Sequence, residues 1–164
     1  MDCIKSRPSV REFREEPISD SVMDELLRAA VSAPSAKNSQ DWEFIVVREP
    51  EVKKGLSRQF MTGKAPVVVV VCSNGKRNMC GSKGESLFSI QDTAAATQNL
   101  MLAAWAKGIG SCWIGAFDED EVRELLELPE HVRPLAVIPL GYPSSGPSKP
   151  GRLPLGDVVH KERF

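Results

Sequence analysis

Between Ser89 and Gly115 the chain carries its most restrictive stretch, a run that reads as one long buried helix feeding a strand. Ile90, Ala94, Ala95, Ala96, Leu100, Met101, Leu102, Ala103, Ala104 and Trp105 leave almost no polar side, whereas a surface helix gathers its apolar residues into one stripe. Such a helix is expected to be surrounded by protein. Its polar residues, Gln91, Asp92, Thr93, Thr97, Gln98 and Asn99, stop well before its end. Once buried they need hydrogen-bond partners in the fold or on a ligand. Lys107 and Gly108 then supply a cation and a residue suited to a left-handed cap. Ile109 to Phe117 reads as a strand interrupted by Gly110 and Gly115, and a glycine inside a strand marks close approach by a ligand or another backbone.

A chain of 164 residues with 41% hydrophobic content has room for one globular domain around this helix, 1–164, burying about two-thirds of its unfolded surface. Its formal net charge of −1, with both signs interspersed, offers no field for nucleic acid or an anionic membrane. The apolar run Ala65 to Cys72 is too short to span a bilayer, and residues 1–20 are charged where a signal peptide would be apolar. A cytoplasmic protein is expected. Cys3, Cys72, Cys80 and Cys112 are then expected to be reduced thiols, and none of their spacings matches a zinc set, so no metal is expected.

Along the chain, Pro8 discourages a helix through Arg7-Pro8-Ser9-Val10-Arg11, and in an extended backbone Arg7, Ser9 and Arg11 point the same way. Two guanidiniums and a hydroxyl facing one spot suit a phosphate, but spacing alone favours three solvated side chains on an N-terminal arm, since surface charge is common. Ser19 to Ser32 is a helix with Ser19 as N-cap, an apolar stripe of Met23, Leu26, Leu27, Ala30 and Val31, and Pro34 beyond its end. The loop from Pro34 to Gln40 is dense in polar groups. Asn38 and Gln40 carry the donor and acceptor that reading a heterocycle edge requires, or else serve an ordinary polar turn.

Trp42 to Val47 reads as a strand, Glu51 to Phe60 as a surface helix, and Ala65 to Cys72 as a central strand covered on both faces. Gly75 to Gly84, with three glycines and three basic residues, reads as a mobile loop and a candidate cover over a pocket. Asp118 to Leu128 is a surface helix capped by Asp118, and Arg133 to Gly141 is the last strand. From Tyr142 onward Pro143, Pro147, Pro150 and Pro154 with Gly146 and Gly151 make 142–164 an extended tail, in which Lys149 and Arg152 are isolated cations.

Several motifs are absent or misplaced. Gly108-Ile109-Gly110 with Gly115 follows a helix, whereas a dinucleotide fingerprint follows a strand and opens a helix. There is no P-loop and no G-x-S-x-G elbow. Cys112 reads as a small buried strand residue, since spacing places neither His131 nor His160 beside it.

Arg7 to Phe13, Ala33 to Gln40, Asp92 to Ala104, Gly108 to Gly115 and Leu140-Gly141-Tyr142-Pro143 succeed one another in an order that resembles the signatures of the FMN-dependent nitroreductase family, over nearly the whole chain. The succession favours site roles for Arg7, Ser9, Arg11, Asn38, Gln40 and Arg152 over the bland alternatives. The resemblance implies an α+β fold with a central mixed β-sheet flanked by helices. It also implies an intertwined homodimer whose C-terminal tail embraces the partner, with two FMN sites at the subunit interface. In the implied cofactor-binding set, Arg7, Ser9 and Arg152 hold the phosphate, with Pro8 between the first two. Asn38 and Gln40 face the isoalloxazine, Ile114 and Gly115 present backbone groups to it, and Arg11 places a cation near N1 and the C2 carbonyl.

The implied activity is ping-pong hydride transfer from NADH or NADPH through FMN to a small electron-poor acceptor such as a nitroaromatic or quinone. No side chain need be catalytic, because the flavin N5 carries the chemistry and Arg11 tunes it. Two alternatives keep the flavin: reductive dehalogenation or flavin fragmentation, and a non-enzymatic flavin-binding protein. Two departures from the family pattern stand out. Asp41 occupies the position after Gln40 where the family has proline, which sets a carboxylate near the expected flavin rim, and the chain is short, without an extended lid helix.

Overall fold

The computed structural model describes residues 2–57, 64–146, 148 and 150–164. Its frame is a four-stranded sheet of β1 (Trp42–Val47), β2 (Val67–Asn74), β3 (Gly110–Ser111) and β4 (Val132–Gly141), in the order β1-β2-β4-β3. β2 sits inside it, buried along its whole length, as the valine run leads one to expect. Successive side chains alternate between faces, so Val67, Val69 and Val71 join one apolar cluster while Val68, Val70 and Cys72 join another. The first cluster takes residues from α2 (Asp20–Val31) and α5 (Ser89–Ala106); the second takes Leu56 of α3 (Pro50–Ser57) and Val122 of α6 (Glu119–Leu125). Residues 58–60 of the helix expected over 51–60, together with Pro147 and Lys149, lie outside the described residues.

The expected mixed sheet takes a particular form. Among the described residues all the strand ladders are antiparallel. β2 and β3 run in the same direction and are joined through α5, yet β4 inserts between them, so the parallel pairing that remains is a single bridge from Ser9 to Ser111. β3 is also shorter than the strand expected over 109–117. Beyond Ser111 the register continues, and Ile114 exchanges both backbone bonds with Val137 at 3.1 and 3.0 Å. Midway, Cys112 faces Pro139, which accepts its N–H at 3.4 Å but has none to return, so the ladder lapses there.

α5 corrects the expectation of complete enclosure. Asp92, Thr93, Ala96, Thr97, Leu100, Met101 and Ala104 are buried, but Ile90 is 43% exposed, and Ala94, Leu102 and Ala103 are only half-buried. Its inner polar residues find partners within the fold. Thr93 and Thr97 donate back to the carbonyls of Ser89 and Thr93 at 2.6 and 2.7 Å, and Asn99 donates to Ala29 on α2 at 3.2 Å. The helix ends as its sequence predicts. Gly108 at φ 75° lets its own N–H reach Trp105 and that of Ile109 reach Ala104, satisfying two terminal carbonyls.

The glycine-rich stretch 75–84 carries more regular structure than its composition suggests, and its Gly75 and Lys76 border a cavity. It forms a 3-10 turn (Gly75–Arg77) and the single-turn α4 (Gly81–Lys83), and a π-turn (Gly84–Phe88) continues it into α5. Arg77 ties it down, donating to the carbonyls of Gln40 and Trp42 at 3.2 and 3.1 Å and pairing with Glu43. Tyr142 to Ser144 are held by residues 12–14, after which the tail leaves the body and exposes Leu153, Leu155, Val158 and Val159. No helix among the described residues is long and apolar enough to cross a membrane.

Candidate functional site

The N-terminal segment becomes an added edge on the sheet. α1 (Asp2–Ser6) is pinned to α5 by a bond from Trp105 Nε1 to Ser6 Oγ at 2.8 Å, and the buried Pro8 follows close on its end. Ser9 then bridges Ser111, and the Val10 N–H donates to the Ser111 carbonyl at 2.9 Å. Val10 turns inward over Gly110, where a Cβ would stand 2.6 Å from Val10 Cγ2; this is the close approach that a glycine in a strand anticipates. Alternation puts Ser9 and Arg11 on the opposite side, with Arg11 exposed. Ile114 and Gly115 lie farther along the same edge, and around the exposed Gly115 a Cβ would meet only Trp113 Nε1, at 3.9 Å. Arg7, Pro8, Ser9, Arg11, Ile114 and Gly115 therefore share one edge.

The chemistry of that edge fits an anion. Arg48, Arg77 and Arg133 are each committed to a carboxylate, on Asp20, Glu43 and Glu119. Among the described residues the Arg7 guanidinium donates only to the neighbouring Pro8 carbonyl at 3.3 Å, and neither it nor Arg11 has a carboxylate partner. Arg152 donates to the carbonyls of Pro150 and Gly151 within the exposed tail, and no hydrogen bond or ion pair among the described residues joins it to this edge.

The Asn38 and Gln40 loop is unusual in its backbone. Lys37, Asn38 and Gln40 hold φ of 52°, 56° and 49°. Left-handed backbone costs on the order of 1 kcal/mol at each non-glycine residue, less for asparagine, and persists only where surrounding contacts over-determine it. Here they do. Ser35 Oγ accepts from the Gln40 N–H at 3.0 Å, and Asp92 Oδ2, reaching across from α5, accepts from the Ala36 N–H at 2.9 Å and the Ser39 hydroxyl at 3.4 Å. Burial raises the Asp92 pKa above the usual carboxylate range and the nearby Asp41 charge adds to the rise, while the Ala36 and Ser39 bonds oppose it.

Asp41 does not sit at an exposed rim. Its side chain turns into the protein, with 2% of the residue exposed, and Oδ2 accepts from Ser89 Oγ at 2.5 Å. It cannot offer charge directly to a ligand in solvent. Spacing gave no hint of Asp92, Ser39 or Ser35 as supports of this loop, although the polar residues on the buried helix had signalled that partners must exist.

The two sets of expected ring contacts lie far apart in one chain. Trp42, just after Gln40, pairs with Ser73, which pairs with Arg133 at the start of β4; Ile114 pairs with Val137, and β3 meets Leu140 and Gly141. The separation is roughly 14 Å across the sheet, three strand spacings, and roughly 13 Å along it, four residues. One ring does not reach both. A separate cavity of about 610 Å³ opens near the loop end of the sheet, lined by Ser73, Lys76, Glu85, Ser89, His131 and Arg133 among others. The Arg133 guanidinium holds Glu119 below its usual range there.

The sequence matches the family described as "Nitroreductase family" over residues 4–60 and 52–142. It is 40% identical, over 87% of this chain and 86% of the relative, to an Archaeoglobus fulgidus protein named as a candidate NADH dehydrogenase/NAD(P)H nitroreductase. It is 30% identical to an FMN reductase (NADPH) of Bacillus subtilis, over 100% of this chain and 74% of that one. The fold superposes on a crystal structure of a nitroreductase family protein from Clostridium difficile 630 with a TM-score of 0.91, at 28% identity and covering 99% and 98% of the two chains.

Proposed function

The chain belongs to the nitroreductase family, and from that premise we propose that it is an NAD(P)H-dependent flavin oxidoreductase that uses FMN to reduce a small electron-poor acceptor such as a nitroaromatic or a quinone. The observation that carries the reading is the shared edge on which Arg7 and Arg11 stand without carboxylate partners beside Ser9, Ile114 and Gly115. When bound there, FMN supplies an N5 that accepts hydride and passes reducing equivalents on.

The protein's own part is to bind and to bias. Arg7 and Ser9, joined by Arg152 from the tail, hold the phosphate through charge-assisted bonds. Arg11 sets a fixed cation where negative charge accumulates on the ring, which favours reduction. Gly115 offers backbone groups with no side chain to obstruct the approach, while Ile114, expected to do the same, exchanges its own N–H and carbonyl bonds with Val137 and so anchors Gly115 to the sheet. Asn38 and Gln40 reach the ring from a second copy of the chain, because their own copy holds them too far away. Two further features support a homodimer: the half-open apolar face of α5 and the apolar residues of the exposed tail, for which residues 142–164 serve as an arm on a single domain of 1–164. Four free cysteines and dependence on NAD(P)H fit a cytoplasmic setting.

The test is a visible spectrum of the purified protein before and after NADH or NADPH is added under argon. A yellow protein bleached by either nicotinamide is expected. A colourless monomer that ignores added FMN would refute the proposal, and a yellow protein bleached by dithionite but by neither nicotinamide would leave binding without turnover. Arg7→Ala with Arg152→Ala should release the flavin; full occupancy in that double variant contradicts the phosphate assignment.

A further inference from the structure

The left-handed run at Lys37, Asn38 and Gln40 has its support on one side only. Lys37, Asn38 and Gln40 are exposed, whereas Ser39 beneath them is 8% exposed and Asp92 7%. Asp92 is the fourth residue of α5, and a single oxygen of it, Oδ2, takes both the Ala36 N–H and the Ser39 hydroxyl. Those two donors bracket Lys37 and Asn38. At the loop's far end Ser89, the first residue of the same helix, donates to Asp41.

We propose that Asp92 is the positioning residue of the flavin-facing loop, its carboxylate clamping Ala36 and Ser39 so that Asn38 and Gln40 leave the backbone in the one direction that meets the ring. The proposal rests on the reading of Asn38 and Gln40 given above. A packing role alone would be served better by an apolar residue, because a carboxylate buried near Asp41 pays for desolvation and for like-charge repulsion. What the carboxylate adds is an acceptor able to take two donors on one oxygen. Asp92 lies under the loop and not at its exposed face, so its action on a bound flavin runs through Asn38 and Gln40. The neighbouring turn reinforces the geometry, since Arg77 holds the Gln40 carbonyl and Lys37 Nζ donates to the Met79 carbonyl at 3.4 Å.

The experiment compares Asp92→Leu, Asp92→Asn and Ser39→Ala with the wild-type protein by two readouts. One is the FMN dissociation constant from quenching of flavin fluorescence. The other is hydrogen exchange at the Ala36, Ser39 and Gln40 amides in flavin-free protein. Leucine keeps bulk and removes the acceptor, so FMN binding should weaken roughly tenfold to a hundredfold while the three amides lose protection. Asparagine keeps one acceptor oxygen and should restore both readouts to near the wild-type level. Ser39→Ala removes one of the two bonds and should weaken binding by a smaller factor, about threefold to tenfold.

Wild-type affinity in the leucine variant overturns the proposal, and so does an asparagine variant as weak as leucine. If the leucine variant does not fold, Ser39→Ala decides, and unchanged FMN affinity there overturns it. A wild-type protein that binds no FMN defeats the flavin reading itself, an outcome distinguishable because amide exchange still reports whether Asp92 holds the loop.

Discussion

Gly110→Ala tests whether the N-terminal arm is held where the proposed site needs it. The new Cβ would stand 2.6, 2.7 and 2.8 Å from Val10 Cγ2, Cβ and Cγ1, inside any real contact distance. Val10 cannot rotate clear, since a β-branched side chain has few χ1 choices and its Cβ is itself among the colliding atoms. The segment must therefore move off β3, straining the Val10 to Ser111 bond. Overpacking of this kind costs about 1–3 kcal/mol, offset by about 0.4–1 kcal/mol because alanine restricts the unfolded chain. The net loss, about 1.3 kcal/mol at the middle of both ranges, should lower Tm by about 3–5 °C in a thermal melt. FMN affinity should fall as well, because Arg7, Ser9 and Arg11 ride on the displaced segment. Val10→Ala alone should cost roughly 2 kcal/mol for two buried methyls and their cavity. Combined with Gly110→Ala it removes the Cγ2 and Cγ1 collisions and leaves the Cβ one at 2.7 Å, so the double variant should lose less than the sum. A Gly110→Ala protein with wild-type Tm and flavin affinity, or strictly additive losses, would refute this account.

Three other outcomes follow from single groups. Burial, with Glu43 adding to it, pushes the Cys72 thiol up to about 12, so iodoacetamide at pH 8 should leave it unlabelled in the native protein and label it in urea; native labelling at the rate of an open thiol would contradict the buried strand. The Asp92 pKa is raised on folding, so the native state holds its proton more tightly than the unfolded chain from pH 3.8 upward to the raised value, and stability owed to this group is present below 3.8 and declines through that window. Wild type should therefore lose ground to Asp92→Asn between acid and neutral pH in parallel urea titrations; a difference independent of pH would count against the shift. Mixing an Arg7→Ala protein with an Asn38→Ala, Gln40→Ala protein should restore about a quarter of the wild-type flavin sites, since each mixed dimer pairs one intact arm with one intact loop; no restoration would mean that each chain builds its site alone.

What could be read in advance divides along sequence distance. β2 is visible because five consecutive valines need no partner to declare a strand with both faces covered, and α2 is visible because Ser19 accepts from Val22 three residues away at 3.3 Å. The lapse of β3 is invisible locally, because its cause is a missing N–H on Pro139 in the facing strand. Composition misjudged 75–84 for the same reason. Glycines there report backbone freedom, while the restraint comes from Arg77 reaching the backbone at Gln40 and Trp42 and pairing with Glu43. The place of Asp41 beside Gln40 suggests a carboxylate near the flavin rim, but Ser89, 48 residues onward, draws the side chain inside. The candidate site residues stand out in the sequence only as types, through the alternation of Arg7, Ser9 and Arg11 and the carboxamides of the loop. Their division between two distant parts of the sheet was not, since strand order is a property of the whole fold.

That division gives α5 two tasks. An antiparallel sheet in the order β1-β2-β4-β3 carries the loop before β1 to one corner and the arm beside β3 to the opposite one, and no rearrangement short of breaking β2 from β4 would close the gap. On the proposed reading the gap is closed between copies, so the loop of one must arrive at the arm of the other in a fixed place. α5 is suited to set that place. Asp92 and Ser89 on its first turn hold both ends of the loop, while the half-exposed Ala94 and Leu102 farther along offer apolar surface to a second copy. A shift of this helix against its partner would move the loop by the same amount, and so the polar start of α5 and its apolar open face are constrained together.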